Sequence, residues 1–267
     1  MKSDSATRLE TDALGINFGG HHAVSNVSLA FKPGSLTAIV GPNGAGKTTY
    51  FNLISGQIKA TNGRVTLDGE DLTDLSPAAR TKRGIGRAFQ LTNLFPKLTV
   101  HENLRLVAQT RMERTFNLFS LWSDHQDVTA AAEEALRDSG LWACREQSAS
   151  ELSHGEQRKL EIALLTALQP KVYMFDEPTA GMSIHDVPAV LDMIQKLKDQ
   201  GDKIILLVEH KMDVIRSLAD RVVVLHGGEL VADGPPKEVM RSAIVQEAYL
   251  GTRRKYEASS SPQKSAA

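Results

Sequence analysis

The sequence predicts an α/β fold with a mixed or parallel core sheet, a small N-terminal antiparallel β subdomain and an inserted helical subdomain. Two observations indicate the core. A glycine-rich loop joins a short apolar strand to a helix within residues 36–54, and strands and helices alternate again after residue 170. Between about residues 95 and 155 the pattern is mostly helical. We therefore expect the helical subdomain to interrupt the alternating chain.

Size and charge narrow the class of protein. The 267 residues suffice for one large domain, and 31 Lys and Arg against 32 Asp and Glu argue against nucleic acid as a partner. The single cysteine, Cys144, cannot form an intrachain disulfide. We expect no signal peptide and no membrane-spanning helix, because no apolar run approaches about 20 residues. We predict a flexible N-terminus at 1–8, a single domain at 9–252 and a disordered tail at 253–267.

The N-terminal segment has the pattern of antiparallel strands. Two strand-like stretches within residues 9–31 are separated by Gly19-Gly20. Asn62-Gly63 is a hairpin-turn signal, and Asp68-Gly69 is another turn further along. These patterns predict a small antiparallel sheet beside the apolar strand at residues 36–40.

The glycine-rich loop fits G-x-x-x-x-G-K-[ST], the phosphate-binding P-loop. Its residues, with the threonine that follows, are Gly41, Pro42, Asn43, Gly44, Ala45, Gly46, Lys47, Thr48 and Thr49. Backbone N–H groups and the positive end of the helix dipole would face phosphate oxygens. We expect Lys47 to reach the β- and γ-phosphates and the Thr48 hydroxyl to bind Mg²⁺. An ordinary glycine-rich turn is the alternative, but the flanking strand and helix favour a nucleotide site.

An apolar strand that begins at Val172 ends in two carboxylates, Asp176 and Glu177. Asp176 stands where an acid could bind Mg²⁺ directly or through water, since magnesium takes oxygen ligands. Glu177 is then placed to polarise an attacking water as a general base. Adjacent acids at a strand end are often only solvated, but a P-loop upstream favours the functional interpretation.

Two more polar residues stand at strand ends. Gln90 ends a predicted strand at residues 84–90 and could bind Mg²⁺ or position water, and His210 follows the strand at 203–208 and could contact the γ-phosphate. For either residue a hydrogen-bonded structural role is the alternative. Together with Glu177 and Lys47, they complete our set of candidate catalytic residues.

Other segments leave alternatives open. Arg80, Lys82, Arg83 and Arg87 form a basic cluster, for which a solvated face is favoured over a ligand or partner site. The aromatic stretch at residues 115–122 is either a partner-facing patch or core packing. A short helix is predicted from Pro77, with Ser76 as its cap, and a final helix at residues 236–249.

These motifs resemble the ATP-binding subunits of ABC transporters over about residues 9–251. The matching features are the P-loop, the Gln90 loop, the signature Leu152-Ser153-His154-Gly155-Glu156, the Walker B strand before Glu177 and the switch His210. The signature discriminates, because many P-loop enzymes lack it. The resemblance implies a P-loop NTPase fold of the ABC cassette type that hydrolyses ATP with Mg²⁺.

The resemblance also implies how the site is completed. Two cassettes, identical or sister subunits, would dimerise head to tail, and each ATP would lie between one P-loop and the other subunit's signature. Ser153, Gly155 and Glu156 would then contact nucleotide, and Phe18 would stack on adenine. Ser153 and Glu156 form a capping box that exposes helix N–H groups to a phosphate.

Four residues depart from the commonest family pattern. His154 replaces glycine, Glu156 replaces glutamine, Phe18 replaces tyrosine, and Ser183 replaces an aspartate in the loop after Walker B. The last departure concerns the contacts of that loop across the dimer and not ATP binding.

A finer resemblance is to the cassettes of branched-chain amino acid importers. Its motifs are Arg87-Ala88-Phe89-Gln90, Leu160-Glu161-Ile162-Ala163, Ala180-Gly181-Met182, Val208-Glu209-His210 and Ala248-Tyr249-Leu250-Gly251. It implies two membrane permease subunits, a periplasmic or extracellular solute-binding protein, and a peripheral location on the cytoplasmic face of the inner (plasma) membrane. The loop at residues 91–100 would receive a permease helix, with simple loop packing as the alternative. Urea or amide import, lipid or lipopolysaccharide export, and a soluble ABC ATPase without a transporter are the other functions weighed.

Overall fold

The computed structural model describes residues 7–88, 95–112, 126–242 and 245. Its strands are β1 (Leu9–Phe18), β2 (His21–Phe31), β3 (Ser35–Val40), β4 (Asn62–Leu67), β5 (Glu70–Asp71), β6 (Ile85–Arg87), β7 (Val172–Asp176), β8 (Ile204–Val208), β9 (Arg221–His226) and β10 (Glu229–Gly234). Its α-helices are α1 (Lys47–Ser55), α2 (Pro77–Lys82), α3 (Val100–Arg111), α4 (Gln126–Asp138), α5 (His154–Leu168), α6 (Val187–Asp199), α7 (Met212–Leu218) and α8 (Pro236–Val239). Short 3₁₀ turns span Trp142–Cys144 and Ala149–Glu151.

The strands form two sheets, and both agree with the predicted α/β class. The N-terminal sheet has the antiparallel order β2-β1-β4-β5. The core sheet has the order β10-β9-β3-β8-β7-β6, with parallel pairing everywhere except between β9 and β10. The carboxyl ends of β3, β7 and β8 therefore meet at one edge, where ligands bind in open α/β sheets.

Both faces of the core sheet are covered, as parallel sheets require. Tyr173 and Phe175 of β7 pack on one side with residues of α3, α5 and α6. Met174 points the other way, into a cluster with Tyr50 and Phe51 of α1 and residues of the N-terminal sheet. The P-loop helix is thus fixed between the two sheets, which positions its N-terminus.

The hairpin-turn prediction at Asn62-Gly63 is wrong, because both residues lie at the start of β4. A Cβ on Gly63 would lie 2.3 Å from the Ala13 carbonyl oxygen, at a register shift between β1 and β4. The Asn62 side chain donates to the same oxygen at 2.7 Å. Glycine is required here by the approach of β1 and by a φ of 82°. The Asp68-Gly69 turn between β4 and β5 is confirmed.

The prediction of a solvated face for the basic cluster is wrong at two positions. Arg80 is buried, and its Nη1 donates at 2.6 Å to each of the Leu53 and Ile54 carbonyl oxygens at the end of α1. Burial lowers the pKa of Arg80, and the charges of nearby aspartates oppose that effect. Carbonyl groups at a helix end lack partners within the helix, so a guanidinium that satisfies them stabilises α1. Arg87 is the second buried member and belongs to the site described below.

The predicted final helix at residues 236–249 is also corrected. Helix α8 ends at Val239, and the next N–H groups form tighter bonds, from Arg241 to Glu238 and from Ser242 to Val239. Bonds of this i→i+3 type end an α-helix. Of residues 243–249, only Val245 is described, and it is helical, so the predicted helix is interrupted at residues 240–242.

Several predicted features fall on residues that the structure does not describe. These are Gln90, residues 91–94 of the proposed docking loop, the aromatic stretch at 115–122 and the tail at 253–267. Among the described residues, no helix combines the length and the apolar character needed to cross a membrane.

Candidate nucleotide-binding site

An open cavity of about 450 Å³ lies at the carboxyl edge of the core sheet. Residues 43–49 line it, together with His21, Ala23, Glu177 and His210. The fold thus brings most of the P-loop, the proposed general base and the switch histidine to one cavity. His21, at the start of β2, was not anticipated, because its position depends on how the N-terminal hairpin folds over the loop.

The P-loop backbone wraps the N-terminus of α1. Gly46 is the N-cap residue with a φ of 94°, and a Cβ there would lie 2.4 Å from the Ala23 carbonyl oxygen. Only glycine allows both the left-handed conformation and this approach. Residues 47–49 at the start of α1 line the cavity, and the first N–H groups of a helix have no partner within it, so a phosphate in the cavity can accept from them.

Lys47 folds back onto its own loop. Its Nζ donates to the Gly41 carbonyl oxygen at 2.8 Å and to that of Pro42 at 3.0 Å. Burial lowers the pKa of Lys47, and the charges of Glu177 and Asp176 oppose this effect. A phosphate oxygen could replace these neutral acceptors with a charged one and form a stronger hydrogen bond.

Asp176 ends β7 in a buried ion pair. Its Oδ2 accepts from Nη2 of Arg87 at 2.7 Å, with 7% of the Arg87 side chain and 12% of the Asp176 side chain exposed. Nη1 of Arg87 donates to Oδ1 of Asn52 at 2.6 Å and to the Ser55 hydroxyl at 3.2 Å. Arg87 therefore joins the end of β7 to helix α1 and fixes the carboxylate beside the P-loop helix.

Glu177 stands just beyond β7 in an unusual conformation. Its φ is 50°, in the left-handed region, and its N–H donates to the Val208 carbonyl oxygen at 2.8 Å. Its Oε1 lies 2.8 Å from Nε2 of His210. The exposed fraction is 41% for the Glu177 side chain and 40% for the His210 side chain. A non-glycine residue held at positive φ needs firm support from its surroundings, and such residues cluster at active sites.

The residues present fit Mg²⁺. The Thr48 side chain is exposed at the start of α1, and the Asp176 carboxylate is held near the P-loop helix, so both offer the oxygen donors that magnesium prefers. Among the described residues there is no group of three or more His, Cys, Asp or Glu that could hold a metal alone. Nucleotide oxygens and water would therefore complete the coordination.

The signature begins α5 and does not line this cavity in the part of the chain that the structure describes. Its predicted capping box is confirmed: Glu156 N–H donates to the Ser153 hydroxyl at 3.3 Å, and Ser153 N–H donates to Oε2 of Glu156 at 2.9 Å. The Ser153 hydroxyl also donates to that carboxylate at 2.7 Å. Ser153 is exposed and Glu156 is half-buried.

The signature packs against the loop after Walker B. A Cβ on Gly155 would lie 2.7 Å from the Asp186 carboxylate, and one on Gly181 would lie 3.1 Å from Nε2 of His154. Ser183, the residue in place of the family's aspartate, donates to Oδ2 of Asp186 at 2.7 Å. Two of the four departures from the family pattern, His154 and Ser183, therefore lie in one region of contact.

Phe18 is placed at the tip of the N-terminal hairpin and is 53% exposed. It does not line the cavity, although its partner across the hairpin, His21, does. Adenine stacking by Phe18 therefore stays a prediction.

Comparison with known proteins identifies the family. The family model described as ABC transporter matches residues 24–180. The chain belongs to the ABC transporter family. A second model, described as branched-chain amino acid ATP-binding cassette transporter, matches residues 229–255. Membership makes this ABC cassette an ATP hydrolase, in agreement with the P-loop and the two acids at the end of β7.

Individual relatives agree over most of the ABC cassette. It is 38% identical over 250 residues to the high-affinity branched-chain amino acid transport ATP-binding protein LivG of Salmonella typhimurium, covering 91% of this chain and 97% of that protein. A crystal structure of a nucleotide-free ATP-binding cassette from an ABC transporter matches with a TM-score of 0.77 and 28% identity, covering 91% and 98% of the two chains. A dimeric bacterial ABC transporter cassette matches with a TM-score of 0.72 and 27% identity, covering 85% and 98%.

Proposed function

We propose that this protein is the ATP-hydrolysing subunit of an importer for branched-chain amino acids. The observation that carries this proposal is the similarity to LivG, which extends over nearly the whole of both chains. The C-terminal match at residues 229–255 supports the same substrate class. The transported amino acid would bind other subunits, so the cavity in this chain would bind ATP, which supplies the energy.

ATP is the substrate of the cavity at the P-loop. The N–H groups at the start of α1 bind its phosphate oxygens, and Lys47 exchanges the Gly41 and Pro42 carbonyl oxygens for a phosphate oxygen. His21 and Ala23 form the wall contributed by the N-terminal sheet. The adenine ring would extend toward the hairpin tip that carries Phe18.

Thr48, Asp176 and Gln90 would hold Mg²⁺, which would neutralise phosphate charge. Glu177 accepts a proton from the attacking water, and His210 donates to Glu177 or to a phosphate oxygen. The contact of 2.8 Å between Oε1 of Glu177 and Nε2 of His210 supports a shared task.

A second cassette is needed to complete the site. Ser153 and His154 of the signature are exposed, Glu156 is half-buried, and none of the three lines the cavity, so they are available to nucleotide on another subunit. A capped helix N-terminus with a serine hydroxyl suits a γ-phosphate. We infer a dimer, of identical or sister subunits, in which Ser153, Gly155 and Glu156 contact ATP held by the partner's P-loop.

Two permease subunits and a solute-binding protein would form the rest of the importer, at the cytoplasmic face of the membrane. The exposed ring of Phe95, at the end of the Gln90 loop, supports a docking surface. Its backbone N–H donates to Oδ1 of the buried Asn103, which fixes this part of the loop on α3.

The test is ATPase activity of the reconstituted complex of cassette, permease and binding protein. We expect leucine, isoleucine or valine to stimulate turnover when the binding protein is present, and urea to have no effect. Stimulation by urea or amides, or activity that follows a lipid or lipopolysaccharide instead, would contradict the proposed substrate class. A Lys47→Ala cassette in the same complex is the control for activity from other ATPases.

A further inference from the structure

We propose that Thr179 and Glu209 form a positioning pair that fixes Glu177 relative to His210, although neither member of the pair lines the nucleotide cavity. The proposal rests on the catalytic roles proposed above for Glu177 and His210. It assigns a function to a buried carboxylate that the mechanism has not yet used.

The two catalytic segments leave the sheet where its hydrogen bonding ends. In the register of β7 with β8, Asp176 pairs with Val208, and this is the last pair of the ladder. Beyond it, one backbone bond from Glu177 N–H to the Val208 carbonyl oxygen continues the connection. Side chains must then hold the two diverging segments at a fixed separation.

Thr179 and Glu209 provide that connection. The Thr179 hydroxyl donates to Oε1 of Glu209 at 2.5 Å, and the two residues are only 0% and 3% exposed. A buried carboxylate is costly unless it is well hydrogen-bonded. Oε2 meets that need by accepting from the backbone N–H of His210 at 2.9 Å and, more weakly, from that of Lys211 at 3.3 Å.

A second contact runs in the opposite direction. Nζ of Lys211 donates to the Thr179 carbonyl oxygen at 3.1 Å. Two hydrogen bonds therefore join the segment after Glu177 to the segment of His210. The Thr179 hydroxyl donates one, and Nζ of Lys211 donates the other. Glu177 and His210 contact each other at the cavity, and the geometry of this contact depends on the positions of both backbone segments.

The consequence is a specific kinetic signature. The pair touches no cavity-lining atom of the P-loop, so its loss should leave ATP affinity unchanged. Misplacement of a general base by about 1 Å can reduce the rate by about 100-fold. We expect Thr179→Val, which keeps the side-chain shape but removes the hydroxyl, to lower kcat by about 10- to 100-fold with ATP affinity within twofold of the wild type.

The experiment compares Thr179→Val, Glu209→Gln and the double variant, with kcat and ATP affinity measured well below each melting temperature. The double variant should be no slower than the slower single variant, because both changes remove one interaction. Thr179→Ser, which restores a hydroxyl, should recover most of kcat. Thr81→Val is the matched control, because its hydroxyl donates only to the Pro77 carbonyl oxygen within α2.

Three results would overturn the proposal: kcat within twofold of the wild type in folded Thr179→Val, multiplicative losses in the double variant, or a fall in ATP affinity equal to that in kcat. If Thr179→Val does not fold, Glu209→Gln and Thr179→Ser carry the same comparison. Glu177→Gln and His210→Ala are measured in parallel. Full turnover in Glu177→Gln and His210→Ala would refute the proposed catalytic roles. Loss of turnover in these two variants together with a normal kcat in Thr179→Val would refute only the positioning pair.

Discussion

The P-loop region and the signature region both present a helix N-terminus, but the chain supports them differently. At the P-loop, α1 is fixed between two sheets, and Arg80, Arg87 and Lys47 bind its ends and its loop. At the signature, the N-terminus of α5 is exposed, and its capping box is satisfied by its own residues Ser153 and Glu156. One region encloses a cavity, and the other offers a surface.

This difference indicates where each region does its work. A cavity with buried support can bind a ligand alone, because its groups are already oriented. The self-capped helix at the signature packs against the loop after Walker B, but Ser153 and Glu156 do not line the P-loop cavity of their own chain. The four predictions below test whether ATP binding depends on the P-loop region alone and whether ATP hydrolysis requires both the P-loop region and the signature region.

The largest effect is expected at Glu177. Glu177→Gln keeps the size of the side chain but cannot accept a proton, so hydrolysis should fall by about 100- to 10,000-fold. ATP binding, measured by calorimetry, should persist. Glu229→Gln in the exposed terminal hairpin is the matched control. Near-normal turnover in Glu177→Gln would show that Glu177 is not the general base.

Arg87 tests the buried support of that region. Arg87→Met leaves Asp176 as an uncompensated buried charge, which should lower the free energy of unfolding by about 3–5 kcal/mol. Arg83→Met is the control, because its pair with Glu70 is 46% and 49% exposed. Such surface pairs contribute about 0–1 kcal/mol. If urea unfolding gave equal losses in the free energy of unfolding for Arg87→Met and Arg83→Met, the distinction between the buried and the exposed ion pair would be contradicted.

Lys47 tests whether the P-loop region binds the phosphates. Lys47→Ala removes a charge-assisted hydrogen bond of about 1.5–3 kcal/mol, so the dissociation constant for ATP should rise by about 10- to 150-fold. Lys59→Ala is the control, since the Lys59 side chain is 77% exposed and pairs with Asp74. Unchanged affinity in Lys47→Ala would show that phosphates bind elsewhere.

The smallest stability effect, and the most selective one, is expected at the signature. Ser153→Ala should cost about 1 kcal/mol of stability through the lost cap. Ser76→Ala is a close control, because the Ser76 hydroxyl caps α2 outside the signature by accepting from Ala79 N–H at 3.3 Å. Both variants should be similarly stable, but only Ser153→Ala should lose ATPase activity, by about 10-fold. Equal activities would reduce Ser153 to a structural cap.

Local patterns predicted much of the site. The P-loop, the capping box at Ser153 and Glu156, and the acids at the end of β7 depend on residues within a few positions of one another, and the structure keeps each pattern. The sequence placed Glu177 and His210 each at a strand end, but their contact was not predicted, because it depends on the pairing of β7 with β8.

Features set by distant contacts could not be predicted in the same way. Asn62-Gly63 has the composition of a turn, but its glycine is required by the approach of Ala13 from another strand. Arg80 and Arg87 were assigned to a solvated face because cations are usually exposed. Their burial depends on carbonyl and carboxylate oxygens on α1 and β7, which only the folded chain brings near.

The central claim is that the P-loop region binds ATP alone and that the signature acts on nucleotide held by another subunit. The most direct test is the ATP dissociation constant of the isolated chain as Ser153→Ala and as Lys47→Ala, measured by calorimetry. We expect Ser153→Ala to match the wild type and Lys47→Ala to bind at least about 10-fold more weakly. An equal loss of affinity in the two variants would place the signature in the same chain's binding site and contradict the account.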